Sequence, residues 1–131
     1  MPAVASDPLA TVQRMFAAFA AQDLDALVTT IHPQSAWRYF GANPQISVAA
    51  FTGSAAVRSF FERIIKRLDM TSFEPAEYLV QGNTVVVFGS EGGTVKATGR
   101  PFRNEWVQRY EVHDGLITAM AEYNIQIEPK A

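Results

Sequence analysis

The chain has 131 residues, of which 48% are hydrophobic, and its formal net charge at pH 7 is −2. This length fits a single domain, residues 1–131, and the absence of cysteine excludes thiol catalysis, thiolate metal sites and disulfide bonds. Because the net charge is slightly negative, we expect no binding to nucleic acid or to an anionic membrane surface. The sequence also contains no run of about 18 apolar residues that could span a bilayer, so we expect a cytoplasmic protein.

The first half of the chain begins with two predicted helices. The first covers roughly 7–21, where Pro8 takes the first helical position ahead of an apolar stripe. Asp23 caps a shorter second helix. The pair His32-Pro33 is expected to end it, because the residue before a proline disfavours the helical region.

A short strand and a third helix are predicted next. The strand covers 36–40, and a glycine- and proline-containing loop follows it over 41–53. The third helix begins at Ser54, and its apolar residues recur every three or four positions as far as Leu68. It has the clearest helical pattern in the chain.

The second half of the chain changes to a period of two, which indicates β-strands. Helices followed by a run of hairpin-connected strands predict an α+β fold. We expect a cone-shaped, curved antiparallel sheet with the three helices on its concave face. Glycines within the second of these strands are natural positions for a bend. The predicted strands cover about 70–81, 84–97, 102–112 and 116–125.

The final hairpin can be drawn in two registers. A three-residue connection over 113–115 places Trp106 opposite Glu122. A two-residue turn at Asp114-Gly115 shifts the register by one residue, which moves the side chains of one strand to the opposite face of the sheet relative to the other strand. We favour the first register because it gathers aromatic and amide groups on one face. The odd-numbered face then carries a largely small, apolar strip suited to a dimer interface. The even-numbered face carries Phe102, Asn104, Trp106, Gln108, Tyr110, Thr118, Met120, Glu122 and Asn124.

Three features together resemble one superfamily. They are the segment Asp23-Leu-Asp-Ala-Leu-Val28, the glycine Gly53 that opens the third helix, and the hairpin that runs from Asp114-Gly115 to Glu122-Tyr123-Asn124. Over roughly 8–126 the chain resembles the ketosteroid isomerase-like, nuclear-transport-factor-like superfamily, and within it the SnoaL-like group that includes polyketide cyclases. The resemblance implies a homodimer, but this fold hosts isomerases, cyclases, dehydratases and non-catalytic binders.

The resemblance also argues against ordinary steroid isomerase activity. Such an isomerase has a carboxylate base on the first strand and an oxyanion hole made of a helical tyrosine and a protonated aspartate. By this resemblance Tyr39 takes the position of the base, Met15 that of the tyrosine and Trp106 that of the acid. A phenol is a poor base near pH 7, and neither a thioether nor an indole is a strong acidic donor.

Glu122 is the main candidate for acid or base catalysis. A carboxylate on the pocket face would be desolvated, which raises its pKa toward neutrality. The alternative is a surface or dimer-edge glutamate paired with an arginine. His32 is either a second proton carrier or a capping residue, and Arg38 is expected to point outward if Tyr39 points inward. The expected ligand-binding residues are Met15, Tyr39, Asn104, Trp106, Gln108, Met120 and Asn124, with core packing as the alternative for Trp106.

Three functional hypotheses remain open from the sequence. The first is a cofactor-independent isomerase, cyclase or dehydratase that acts next to a carbonyl group of a small hydrophobic or aromatic ligand. The second is a non-catalytic ligand-binding protein, and the third is a dimerisation module. No metal or cofactor is expected, because the chain has only two histidines, no cysteine and no glycine-rich loop ahead of a helix.

Overall fold

The described residues, 7–41 and 49–127 of this computed structural model, form three helices and one six-stranded sheet. Within these two ranges, no helix has the length and apolar character needed to cross a bilayer. The elements are α1 (Pro8–Ala20), α2 (Leu24–Val28), β1 (Ile31–Phe40), β2 (Ala49–Thr52), α3 (Ser54–Arg67), β3 (Leu68–Gln81), β4 (Thr84–Val95), β5 (Pro101–His113) and β6 (Leu116–Gln126).

The first two helices begin at side-chain caps. The Asp7 carboxylate accepts a hydrogen bond from the Leu9 amide at 3.0 Å, and the Asp23 carboxylate accepts one from the Ala26 amide at 3.1 Å. Helix α2 ends at Val28, so the expectation that His32-Pro33 ends it is wrong.

Pro33 instead lies within β1. It falls in the part of β1, between Ile31 and Ala36, where the pairing with β6 changes register. A proline is tolerated there because no ladder hydrogen bond requires its missing N–H group.

The strand order is β2-β1-β6-β5-β4-β3. The predicted α+β fold with helices packed on a curved sheet is confirmed, but the sheet is mixed, because β1 and β6 run parallel. A long connection separates these two strands in the chain, so no hairpin fixes their relative direction. Strand β2 lies inside the predicted loop 41–53, and the Pro44 portion of that loop falls outside the described residues.

The last hairpin turns through two residues, not three. Asp114 and Gly115 have φ angles of 52° and 76°, which allow His113 to pair with Leu116. Glu111 already pairs with Ala119, so β6 carries one extra residue in between, a β-bulge. Trp106 therefore lies opposite Asn124, and the expected pairing with Glu122 is wrong. The bulge restores the parity of the strand, so the predicted even-numbered face is the buried one from Met120 onward. Between the turn and the bulge the prediction is wrong, because Ile117 is buried there and Thr118 is not.

Two glycines of β4 allow a close approach by neighbouring groups. A Cβ atom at Gly93 would lie 2.1 Å from the Asp69 carbonyl oxygen, and one at Gly89 would lie 2.4 Å from the Trp106 ring. Only glycine leaves this space free, so β3 packs closely on β4 and the Trp106 ring packs closely on Gly89. The result is an aromatic-rich core between the sheet and helices α1 and α3.

Candidate functional site

A small cavity lies between the sheet and helices α1 and α3, and this inner cavity has a volume of about 30 Å³. Met15 and Phe16 of α1 and Phe60 of α3 form part of its apolar wall. The residues with polar side-chain groups that line it are Tyr39, Glu91, Gln108, Tyr110 and Glu122. It has room for about two water molecules and is surrounded mainly by aromatic rings.

Cross-strand pairing places these polar groups side by side. Glu122 of β6 pairs with Tyr39 of β1 on one side and with Gln108 of β5 on the other. Glu91 of β4 pairs with Asn104 of β5. Because alternate residues of a strand share a face, these side chains all point toward the helices.

The Glu122 carboxyl group is buried, with 6% of the residue exposed. Its Oε1 accepts a hydrogen bond from Gln108 Nε2 at 2.7 Å, and its Oε2 accepts one from Asn124 Nδ2 at 2.8 Å. The Tyr110 hydroxyl donates to Gln108 Oε1 at 2.6 Å, which fixes the orientation of that amide. Each oxygen of Glu122 thus has an amide donor, and no lysine, arginine or histidine of the described residues lines the cavity.

Burial controls the ionisation of Glu122. The pKa of its carboxyl group is raised from 4.5 to about 7, mainly by loss of solvation and in part by the neighbouring charge of Glu91. The hydrogen bonds from Asn124 and Gln108 act in the opposite direction, but desolvation dominates. Both protonation states of Glu122 are therefore accessible near neutral pH, as a proton carrier requires.

Glu91 is a second buried carboxyl group that the sequence interpretation missed. Its Oε2 accepts hydrogen bonds from Asn104 Nδ2 at 2.8 Å and from Asn124 Nδ2 at 3.3 Å. Burial raises its pKa as well. The pairing of β4 with β5 would have identified Glu91, because the residue directly opposite Asn104 must point to the same inner face of the sheet. Its glycine neighbours instead favoured a bend.

Tyr39 lines the inner cavity. Burial raises the pKa of its hydroxyl group well above the ordinary value, and the charges of Glu122 and Glu91 raise it further. The phenol therefore stays protonated and keeps an O–H group that can donate a hydrogen bond. Its hydroxyl makes no hydrogen bond within the part of the chain that the structure describes, so it is free to bind a ligand oxygen.

The other predicted ligand-binding residues divide into two groups. Gln108, Met15 and Met120 line the inner cavity. Asn104, Trp106 and Asn124 are buried but do not line it. The amides of Asn104 and Asn124 hold the carboxyl groups in place. The Trp106 ring stacks on Phe73 with ring centroids 5.0 Å apart, and its Nε1 has no hydrogen-bond partner in the described part of the chain.

Two further residues considered from the sequence lie away from the cavity. His32 Nδ1 accepts a hydrogen bond from the Gln34 amide at 3.0 Å, a local contact at the start of β1. Arg38 is exposed, as its position in the alternation predicted. The described residues contain no group of three or more histidine, cysteine, aspartate or glutamate side chains arranged to hold a metal ion.

A larger outer chamber of about 180 Å³ adjoins the inner cavity near the C-terminal ends of α1 and α3. Asp69 and Lys96 are among its polar lining residues. Five side chains line both spaces and form a septum between them, so a ligand larger than a few atoms must displace part of this septum. The septum consists of Phe19, Ile64, Leu68, Met70 and Phe73.

Comparison with known proteins identifies relatives of the same fold. A model of the SnoaL-like domain matches residues 12–120. An NTF2-like protein from Burkholderia xenovorans LB400 is 27% identical, with coverage of 89% of this chain and 88% of that chain and a TM-score of 0.79. No curated protein gives a significant match.

Two further solved structures carry information about ligands or activity. TerC, co-crystallized with polyporic acid, is 22% identical, with coverage of 88% and 89% of the two chains and a TM-score of 0.73. A proposed polyketide cyclase from Xanthomonas campestris pv. campestris is 21% identical, with coverage of 88% of each chain and a TM-score of 0.75. At these identities the likeness shows the shared fold.

The raised pKa of Glu122 predicts how stability depends on pH. The folded protein retains a proton that the unfolded chain loses near pH 4.5, so the free energy of unfolding falls as the pH rises from 4.5 to about 7. In Glu122→Gln this fall should be smaller by about 2–3 kcal/mol. Urea denaturation at about pH 5 and about pH 8 measures the difference. An equal fall in both proteins would show that Glu122 ionises normally.

Proposed function

The chain belongs to the SnoaL-like domain family, and we propose that it is a cofactor-independent enzyme that moves a proton at a carbon atom next to a carbonyl group. One observation carries this proposal. The cavity holds a carboxyl group with a pKa of about 7, and an unengaged tyrosine hydroxyl lies on the adjacent strand. These are the two groups that enolisation of a carbonyl compound requires.

In the proposed reaction, ionised Glu122 removes the proton from the carbon atom next to the carbonyl. The Tyr39 hydroxyl donates a hydrogen bond to the carbonyl oxygen, where negative charge develops as the enolate forms. Protonated Glu122 then returns the proton to the same or a neighbouring carbon. The tyrosine that is unsuited to act as the base of a steroid isomerase thus serves here as the donor to oxygen.

The walls of the cavity indicate the substrate class. Aromatic and aliphatic side chains dominate both the inner cavity and the septum, so the substrate is a hydrophobic carbonyl compound. The complex of TerC with polyporic acid and the proposed polyketide cyclase activity of another relative support an aromatic ligand. In this proposal the carbonyl group of the substrate lies beside Tyr39 and Glu122. The rest of the substrate displaces part of the septum and extends into the outer chamber.

Deuterium exchange tests the proposal without knowledge of the natural substrate. Benzylacetone in D₂O should exchange its protons next to the carbonyl faster with the protein than with buffer, as followed by NMR. Glu122→Gln should lower the catalysed rate by about 100-fold or more, and Tyr39→Phe by about 10- to 100-fold, because they remove the base and the donor to oxygen.

Glu62→Gln is the matched control, because Glu62 is an exposed carboxylate on α3. It should leave the exchange rate unchanged. Binding of benzylacetone with no exchange would favour the non-catalytic ligand-binding protein, since the pocket would then lack a working base.

We also propose that two copies associate through the outer face of the sheet. Phe88, Tyr123 and Ile125 are exposed there, at 37%, 46% and 67%, around a groove of about 440 Å³. Arg103 and Glu105 also line this groove, so a two-fold related copy would bring opposite charges together.

Light scattering coupled to gel filtration tests this association. The wild type should be a dimer and Ile125→Glu a monomer, because the substitution places charge at the most exposed apolar position of the groove. Leu79→Glu is the control: it is 52% exposed on the edge strand β3 but does not line the groove, so it should stay dimeric. A monomeric wild type would contradict the proposed dimer.

A further inference from the structure

We propose that Glu91 and Glu122 share one proton and act as an acid–base pair that eliminates water from β-hydroxy carbonyl compounds. The inference rests on the proposed function above and narrows it, because elimination needs a group that protonates the leaving hydroxyl as well as a base. Glu91 supplies the second group.

The two carboxyl groups are held against each other by one amide. Asn124 Nδ2 donates to Glu122 Oε2 at 2.8 Å and to Glu91 Oε2 at 3.3 Å. Gln108 and Asn104 each bind one of the two carboxyl groups from the adjacent strand β5. Both carboxyl groups line the inner cavity, so a single bound molecule can reach both.

The surroundings of the pair disfavour two negative charges. None of the described residues that line the inner cavity is a lysine, arginine or histidine. The residues that α1 and α3 contribute to the lining are all apolar. Two adjacent carboxylates in such a cavity repel each other, and the amide hydrogen bonds offset this repulsion only in part, so the pair retains one proton near neutral pH and titrates as a unit.

The other titratable groups around the pair are tyrosines. Tyr39 of β1 and Tyr110 of β5 both interact with the charge of Glu122, and Tyr78 of β3 interacts in turn with Tyr110. Burial raises the pKa of all three hydroxyl groups. They stay protonated and neutral, so the pair alone changes charge between mildly acidic and mildly alkaline pH.

The hydrogen bonds show how the two roles divide. When Glu122 is ionised, each of its oxygens receives an amide N–H bond, which stabilises the charge. Both N–H bonds to Glu91 reach the same oxygen, Oε2, and its Oε1 makes no hydrogen bond in the described part of the chain. Oε1 of Glu91 is therefore free to carry the shared proton.

The elimination step then balances without any further reactant. Glu122 takes the proton from the carbon next to the carbonyl, and the bond from the neighbouring carbon to its hydroxyl group breaks. Glu91 delivers its proton to the departing hydroxyl, so that a carbon–carbon double bond and one water molecule form. Tyr39 donates to the carbonyl oxygen throughout. The pair still holds one proton, now on Glu122, and a proton exchange between the carboxyl groups restores the starting state.

Two compounds with the same carbon skeleton separate this inference from the proposed function. Benzylacetone reports proton exchange alone, and its β-hydroxy derivative reports elimination to benzalacetone, which is followed by ultraviolet absorbance. We expect the wild type to catalyse both reactions, with a bell-shaped pH dependence for elimination. Glu91→Gln should lower elimination by about 100-fold or more and proton exchange by much less, since only the basicity of Glu122 changes, whereas Glu122→Gln should lose both.

Each other outcome identifies which statement fails. A wild type that exchanges protons but does not eliminate water contradicts the elimination and leaves the proposed function intact. Equal loss of both reactions in Glu91→Gln would show that Glu91 only supports the fold. A wild type that does neither contradicts both the inference and the proposed function.

The shared proton has a readout that needs no substrate. Carbon-13 NMR titration of the glutamate carboxyl groups should show two well-separated steps for the pair in the wild type. In Glu91→Gln, which removes the neighbouring charge, Glu122 should titrate at a lower pH than in the wild type. Simultaneous, ordinary titration of both carboxyl groups in the wild type would overturn the shared proton.

Discussion

The site depends on the two hydrogen bonds that the Asn124 amide donates to the buried carboxyl groups of Glu91 and Glu122. Carboxylates are costly to remove from water, and among the described residues that line the cavity there is no cationic partner. The amides of Asn124, Gln108 and Asn104 reduce this cost but do not remove it, since burial still raises the pKa of both Glu122 and Glu91. The protein thus keeps two proton-carrying groups in a buried cavity at a cost in stability, which is common where the pKa of a catalytic group must be held near neutrality.

The fold supplies the geometry that this arrangement needs. The bulge in β6 keeps Glu122 and Asn124 on the inner face after a two-residue turn that would otherwise have exchanged the faces. Gly89 leaves room for the Trp106 ring, which stacks on Phe73 and supports the septum. The parallel pairing of β1 with β6 brings the Tyr39 hydroxyl next to Glu122, with no residue between them in the sheet.

Local sequence patterns predicted much of the fold and part of the site. Amphipathic spacing placed α1 and α3 within one or two residues, and alternation identified the buried face that contains Glu122, Gln108 and Asn124. The alternation of apolar and polar residues along a strand depends only on which face of the sheet is buried. It can therefore be recognised in the sequence without knowing the partner strand.

Features that depend on long-range pairing could not be predicted in this way. Strand β2 is short and pairs with β1 at the edge of the sheet, and the direction of β1 relative to β6 has no local signature. Glu91 was missed for the same reason, because its inward direction follows from pairing with Asn104. Asn104 and Asn124 likewise do not line the cavity, because their amides bind the carboxyl groups of Glu91 and Glu122.

The number of protons held by the buried carboxyl groups at neutral pH is the central claim of this account. Infrared spectroscopy measures it directly, because a neutral carboxylic acid in an apolar site has a carbonyl stretch that is separate from the carboxylate bands. We predict that the wild type shows this band near pH 7, and that it weakens in both Glu91→Gln and Glu122→Gln, since each variant removes one of the two groups that hold the proton. A wild-type spectrum with carboxylate bands alone at neutral pH would contradict the account.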